Sequence, residues 1–228
     1  MTAYVFAPPA QASAAVLDTD QRFPVRRIYC VGRNYAAHAR EMGADPSREA
    51  PFFFTKPADA LVQSGSEIPY PSATGALHHE VELVIAIGGA GEGLSPAQAD
   101  GLIWGWAVGV DLTRRDLQNA AKSKGHPWDS GKGFDRAAPL GPITPKSRLA
   151  RPDGRIRLSI DGDLRQDGRL SDMIWNPYEI VAEASKLWRL APGDLIFTGT
   201  PEGVGPIERS QRVLAEIDGL VPLRFAVI

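Results

Sequence analysis

The chain has 228 residues, 43% of them hydrophobic and 23% charged, with a formal net charge of -2. This is an ordinary globular balance, long enough to bury a core without covalent staples, and it gives no reason to expect nucleic acid as a partner. A single cysteine, Cys30, excludes an internal disulfide framework and suits a reducing compartment.

The first residues, Met1 to Val16, are rich in Ala and Pro. They lack both a basic n-region and an unbroken apolar run, which argues against a signal peptide. No apolar stretch approaches the ~18–20 residues of a membrane span, so a soluble, cytoplasmic protein is expected. With 23 Gly and 19 Pro, turns are frequent and the elements between them short. Residues 1–24 read as a small appendage and 25–228 as the main domain. Ile28 to Val31 is a compact apolar strand, and Asn34 is placed to cap a short helix from Tyr35 to Met42. Phe52 to Thr55 is strand-like. Glu80 to Gly88 is the clearest strand of the chain. Ser95-Pro96-Ala97-Gln98 carries a capping-box pattern and leads toward a second apolar strand, Trp104 to Val110. A helix is expected over Leu112 to Lys122. Residues 155–161 and 164–165 alternate as a hairpin turning at Asp161-Gly162-Asp163. The best helix runs from Pro177 to Leu190 behind the cap Asn176, and a strand follows from Leu195 to Thr198. Strands outnumber helices and crossovers are few, which points to a mixed α/β, β-rich architecture with an antiparallel bias.

Glu80 and Glu82 are two apart in a strand and share a face. Adjacent carboxylates repel, so either both face water or a cation sits between them. Asp111, at the end of the apolar run GLIWGWAVGV, offers a third carboxylate. Three hard oxygen donors suit Mg²⁺, Mn²⁺ or Ca²⁺ rather than zinc. A solvated strand face with a helix cap at Asp111 accounts for the same spacing. His78-His79 lacks the partners of a zinc site and reads as supporting structure. His38 and Glu41 stand i, i+3 on a short helix, where a carboxylate could orient an imidazole as general base. Lys132 sits between glycines in a loop, and Arg115 and Gln118 are again i, i+3. The run from Gly199 to Gly205 is a Gly-rich turn whose N–H groups could hold a carboxylate.

In order along the chain, CVGRNYAAHAREMG, FFFTKPADALV, HHEVELVIAIG, WAVGVDLTRRDLQ, PWDSGKGFD and LIFTGTPEGVGP together resemble the fumarylacetoacetate hydrolase family, in particular its short acylpyruvase and fumarylpyruvate hydrolase branch. The resemblance implies a β-sandwich roll with short peripheral helices, usually dimeric. It implies Mg²⁺ or Mn²⁺ on Glu80, Glu82 and Asp111, and a lid carrying His38 and Glu41 to activate water. Lys132 would serve the oxyanion, while Arg115, Gln118 and Thr200 would touch the substrate, a small 2,4-diketo acid. The products would be pyruvate and a carboxylic acid, fumarate if the acyl group is fumaryl. The same acidic cup also fits oxaloacetate decarboxylation or a homoprotocatechuate-type isomerisation, and a catalytically silent keto-acid-binding protein is the alternative of another class.

Overall fold

A computed structural model describes residues 2–36 and 49–228. Its centre is Val81–Ile87, seven consecutive buried residues, VELVIAI. Such a run does not alternate because both of its faces are covered. It pairs antiparallel with Ile103–Val110 on one side and with Asp194–Phe197 on the other. Arg27–Gly32 extends the sheet beyond Asp194–Phe197 in parallel, followed by antiparallel Phe52–Lys56. At the opposite edge come Ala138–Leu140 and then, parallel to it, Leu61–Gln63.

Arg155–Ile160 and Asp163–Arg169 form the expected hairpin, closed by Asp161 and Gly162 at φ 52° and 92°. Positive φ at both central residues matches the natural twist of a two-residue turn. With Arg212–Ile217, Leu223–Val227 and Ser66–Ile68 this hairpin builds a five-stranded sheet. Its inner residues, Ile156, Leu158 and Ala215, belong to the same core as the large sheet. The N-terminal hairpin, Ser13–Val16 and Thr19–Pro24, contributes Ala14, Val16 and Phe23 to that core and bonds Ile143 through its backbone. The architecture is the mixed, strand-rich one expected, with short helices at the periphery. Among the described residues no helix is long and apolar enough to cross a membrane.

Three expectations shift in detail. The helix from Pro177 has the full capping box of Asn176 and Glu179 but ends at Leu187. Trp188 turns extended, and its ring stacks 4.8 Å from that of Tyr29. The helix expected from Leu112 begins only at Arg115, because Thr113–Arg114 is drawn into a short strand against Leu77 and His78. The strand expected to start at Glu80 breaks there instead. Leu77–His79 belongs to a small sheet with Thr113–Arg114 and Gly205–Pro206, and the chain enters the large sheet only at Val81. Glu80 is therefore the step between two sheets.

Candidate active site

The step at Glu80 places its carboxylate near those of Glu82 and Asp111, whose candidate ligand atoms all lie within 4.8 Å of one another. All three residues are buried. Asp111 arrives from the next strand over, since Val110 pairs with Val81 and the Asp111 N–H donates to the Glu80 carbonyl at 2.8 Å. Carboxylates this close cannot all stay ionised without compensation. Burial, then Asp111 and Glu80, push the Glu82 carboxyl well above the usual range.

Compensation comes from three buried cations. Lys132 Nζ donates to Glu80 Oε2 at 2.9 Å, Asp111 Oδ2 at 2.6 Å and Thr113 Oγ1 at 2.7 Å. Burial works against the Lys132 charge, yet Asp111 and Glu80 raise its pKa above the ordinary value. Arg115 donates to Glu80 Oε1, and to Gln118 Oε1 at 2.6 Å. Lys56 Nζ lies 2.8 Å from Asp111 Oδ1 as an ion pair without hydrogen-bond alignment, and donates to the Leu112 and Lys132 carbonyls. Asp111 Oδ1 thus accepts no hydrogen bond among the described residues. An all-oxygen donor set, one oxygen of it without a donor and one carboxyl held against its charge, fits a hard divalent cation such as Mg²⁺ or Mn²⁺.

The expected residues converge: Glu80, Glu82, Arg115, Gln118, Lys132 and Thr200 all line one cleft. His38 and Glu41 lie outside the described residues, as does the body of the helix expected to follow Asn34. Two details depart from the sequence reading. Lys132 does not project from an open loop but ends a one-turn helix, Asp129–Lys132, and is buried. Gly131 explains the close approach: a Cβ there would meet the Gln118 backbone N at 2.9 Å and force the two helices apart. The Gly-rich turn does hold a carboxylate, but it is that of Glu82, whose Oε2 accepts from the Gly199 N–H at 2.7 Å. Gly199 has φ 93° and passes against the Asn34 Cβ, so a side chain is excluded twice over.

Lys56 and Gln166 were not foreseen. Lys56 lies in the FFFTKP run, where a lysine beside a proline carries no spacing signal. Gln166 lies in a polar strand, Asp163–Arg169, where it alone is fully buried. Its Oε1 accepts from the Val81 N–H at 3.1 Å and lies 2.9 Å from His79 Nδ1. Its Nε2 donates to Thr200 Oγ1 at 2.8 Å and the Pro201 carbonyl at 2.9 Å. One amide thereby satisfies the backbone N–H between the two glutamates and orients Thr200. His79 is no ligand here; burial first of all lowers its pKa, and that of His78 falls to about 4.

Gln166→Leu keeps the volume but strands the Val81 N–H. An unsatisfied buried donor costs about 1–3 kcal/mol, roughly 5 °C in melting temperature for a chain of this size. Misplacing the glutamates should also weaken Mn²⁺ binding about 10–100-fold. Calorimetric titration with Mn²⁺ checks this, and an unchanged affinity would reduce Gln166 to a packing role.

The chain as a whole has similar relatives among known proteins. A crystal structure of fumarylpyruvate hydrolase from Pseudomonas aeruginosa, in complex with Mn²⁺ and pyruvate, superposes with a TM-score of 0.97 at 52% identity, covering 99% of each chain. A fumarylpyruvate hydrolase of Ralstonia sp is 42% identical over 183 residues, 80% of this chain and 95% of that protein. A mitochondrial oxaloacetate tautomerase of Mus musculus is also 42% identical, over 203 residues, 89% of this chain and 91% of its own. The Fumarylacetoacetate (FAA) hydrolase C-terminal family matches residues 27–228, and the chain belongs to the fumarylacetoacetate hydrolase family.

Proposed function

We propose that the protein hydrolyses a carbon–carbon bond of an acylpyruvate, with fumarylpyruvate as the substrate and fumarate and pyruvate as products. The observation that carries this reading is the convergence of three carboxylates with Lys132, Arg115, Gln118 and Thr200 in one cleft. The likeness to the Pseudomonas aeruginosa enzyme supports the same substrate. Glu80, Glu82 and Asp111 would hold the cation, which when bound supplies Lewis-acid chemistry toward the developing enolate charge.

The chain's own residues do the rest. Arg115, already forked between Glu80 and Gln118, anchors the pyruvoyl carboxylate together with Thr200. His38 takes a proton from water, with Glu41 orienting the imidazole, and the resulting hydroxide attacks the distal keto carbon. Lys132 supplies the cationic donor for the oxyanion that forms. Collapse breaks the bond to the pyruvoyl methylene, which leaves with the electron pair and takes up a proton. The Mus musculus relative favours a second reading, keto–enol interconversion of oxaloacetate, which leaves the carbon skeleton intact.

Chelator-treated protein should leave the diketo-acid absorbance of fumarylpyruvate unchanged, and added Mg²⁺ or Mn²⁺ should restore rapid loss, with fumarate and pyruvate formed one to one. Intact fumarylpyruvate in the presence of metal, with fast enolisation or decarboxylation of oxaloacetate, would overturn the hydrolase reading.

A further inference from the structure

The cleft carries two sets of positive charge, and the hydrolytic steps above use only the inner one. Arg115 and Lys132 are buried beside the carboxylates. Lys122 lines the same cleft from the helix Arg115–Ser123, exposed to solvent. It follows Arg115 and Gln118 on one helical face and stands about 10 Å along the axis from Arg115. Arg33 is the other exposed cation of the cleft, just past the strand Arg27–Gly32. Among the described residues neither Arg33 nor Lys122 forms an ion pair. The walls near them are aromatic, from Phe52, Phe54 and Trp128.

Arg33 is held in an unusual way. Its φ is 59°, a left-handed conformation that glycine adopts freely and an arginine does not. The next residue locks it there. Asn34 Nδ2 donates to the Thr198 carbonyl at 2.7 Å and the Trp175 carbonyl at 2.9 Å, while Asn34 Oδ1 accepts from the Trp175 N–H at 2.8 Å. The Asn34 carbonyl accepts from Ile174 N–H at 2.8 Å. Backbone strain maintained by its surroundings points to use of the side chain that bears it. The guanidinium lies 5.5 Å from the centre of the Phe52 ring, at the cleft wall.

We propose that Arg33, assisted by Lys122, binds a carboxylate at the far end of the acyl group and so selects acylpyruvates of dicarboxylic acids over those with short neutral acyl groups. This rests on the hydrolase reading and adds its specificity.

The test is the ratio of kcat/KM for fumarylpyruvate to that for acetylpyruvate, which ends in a methyl group, in the parent and in Arg33→Gly. Glycine accepts the left-handed backbone, so the variant should melt at or above the parent temperature. The ratio should fall about 10–100-fold, the loss expected for one charge-assisted hydrogen bond. Lys122→Ala should lower it in the same direction by less. An unchanged ratio, or an equal fall for both substrates, overturns the inference while leaving the hydrolase reading intact, and so does a large drop in melting temperature in Arg33→Gly. Parent protein that hydrolyses neither diketo acid overturns both.

Discussion

Asp111→Asn is expected to bind neither Mg²⁺ nor Mn²⁺ measurably and to show no hydrolysis. Asp111 is fully buried and its carboxylate is shared between Lys132 and Lys56. Asparagine preserves the shape but removes the charge that both ammonium groups answer, and an amide oxygen alone is a poor substitute in a hard-cation site. Two lysines are then left buried without adequate compensation. Removing one partner of a buried ion pair costs about 3–5 kcal/mol, which lowers the melting temperature by about 10 °C in a chain this long. Glu82→Gln separates the two effects. Burial, Asp111 and Glu80 already disfavour its charged form, and a glutamine oxygen can still accept from Gly199. That variant should lose the metal without losing stability in metal-free buffer. Mn²⁺ titration followed by spin resonance, paired with thermal melting, checks both. Parent-like Mn²⁺ binding in Asp111→Asn would remove it from the ligand set.

His38→Ala should retain Mn²⁺ and slow hydrolysis by about 10²–10⁴-fold, the range for loss of a general base. The other three of the chain's four histidines have surroundings of a different kind. His78 and His79 have lowered pKa values, about 4 for His78, which makes them weak bases near neutrality. His79 is also engaged by Gln166. His126 faces a neighbouring hollow beside Trp128 rather than the carboxylate cleft. The family resemblance assigns this role to His38, an imidazole being the side chain type suited to take a proton from water near pH 7. Single-turnover rates with saturating Mn²⁺ measure the effect. A rate within tenfold of the parent would assign water activation elsewhere.

Much of this site was readable from the sequence because its signals are local. The two-residue spacing of Glu80 and Glu82 survives even though the strand breaks at Glu80, since the two carboxylates on either side of Val81 still meet in one cluster. The i, i+3 spacing of Arg115 and Gln118 survives the later helix start because both residues still lie in the helix Arg115–Ser123. Capping boxes at Ser95 and Asn176 and the Asp161-Gly162 turn are written in residue types whose backbone preferences are strong. Lys56 and Gln166 escaped because their roles depend on partners 55 and 85 positions away in sequence, Asp111 and Val81. No window along the chain distinguishes a lysine or glutamine that will be buried from one that will be solvated. The sheet order is hidden likewise: Asp194–Phe197 inserts between strands formed more than a hundred residues earlier.

The Gln166 clamp has a thermodynamic side. Asp163–Arg169 is the outermost strand of its sheet, the kind of element that frays first in a folded protein. Here fraying withdraws the amide that fixes Val81 and Thr200, so the edge cannot open without loosening the glutamates. Linkage runs equally in the other direction. Whatever draws the carboxylates together from within the cleft also tightens an exposed ribbon on the far sheet, and the two behave as one cooperative unit rather than as a catalytic centre with a passive margin.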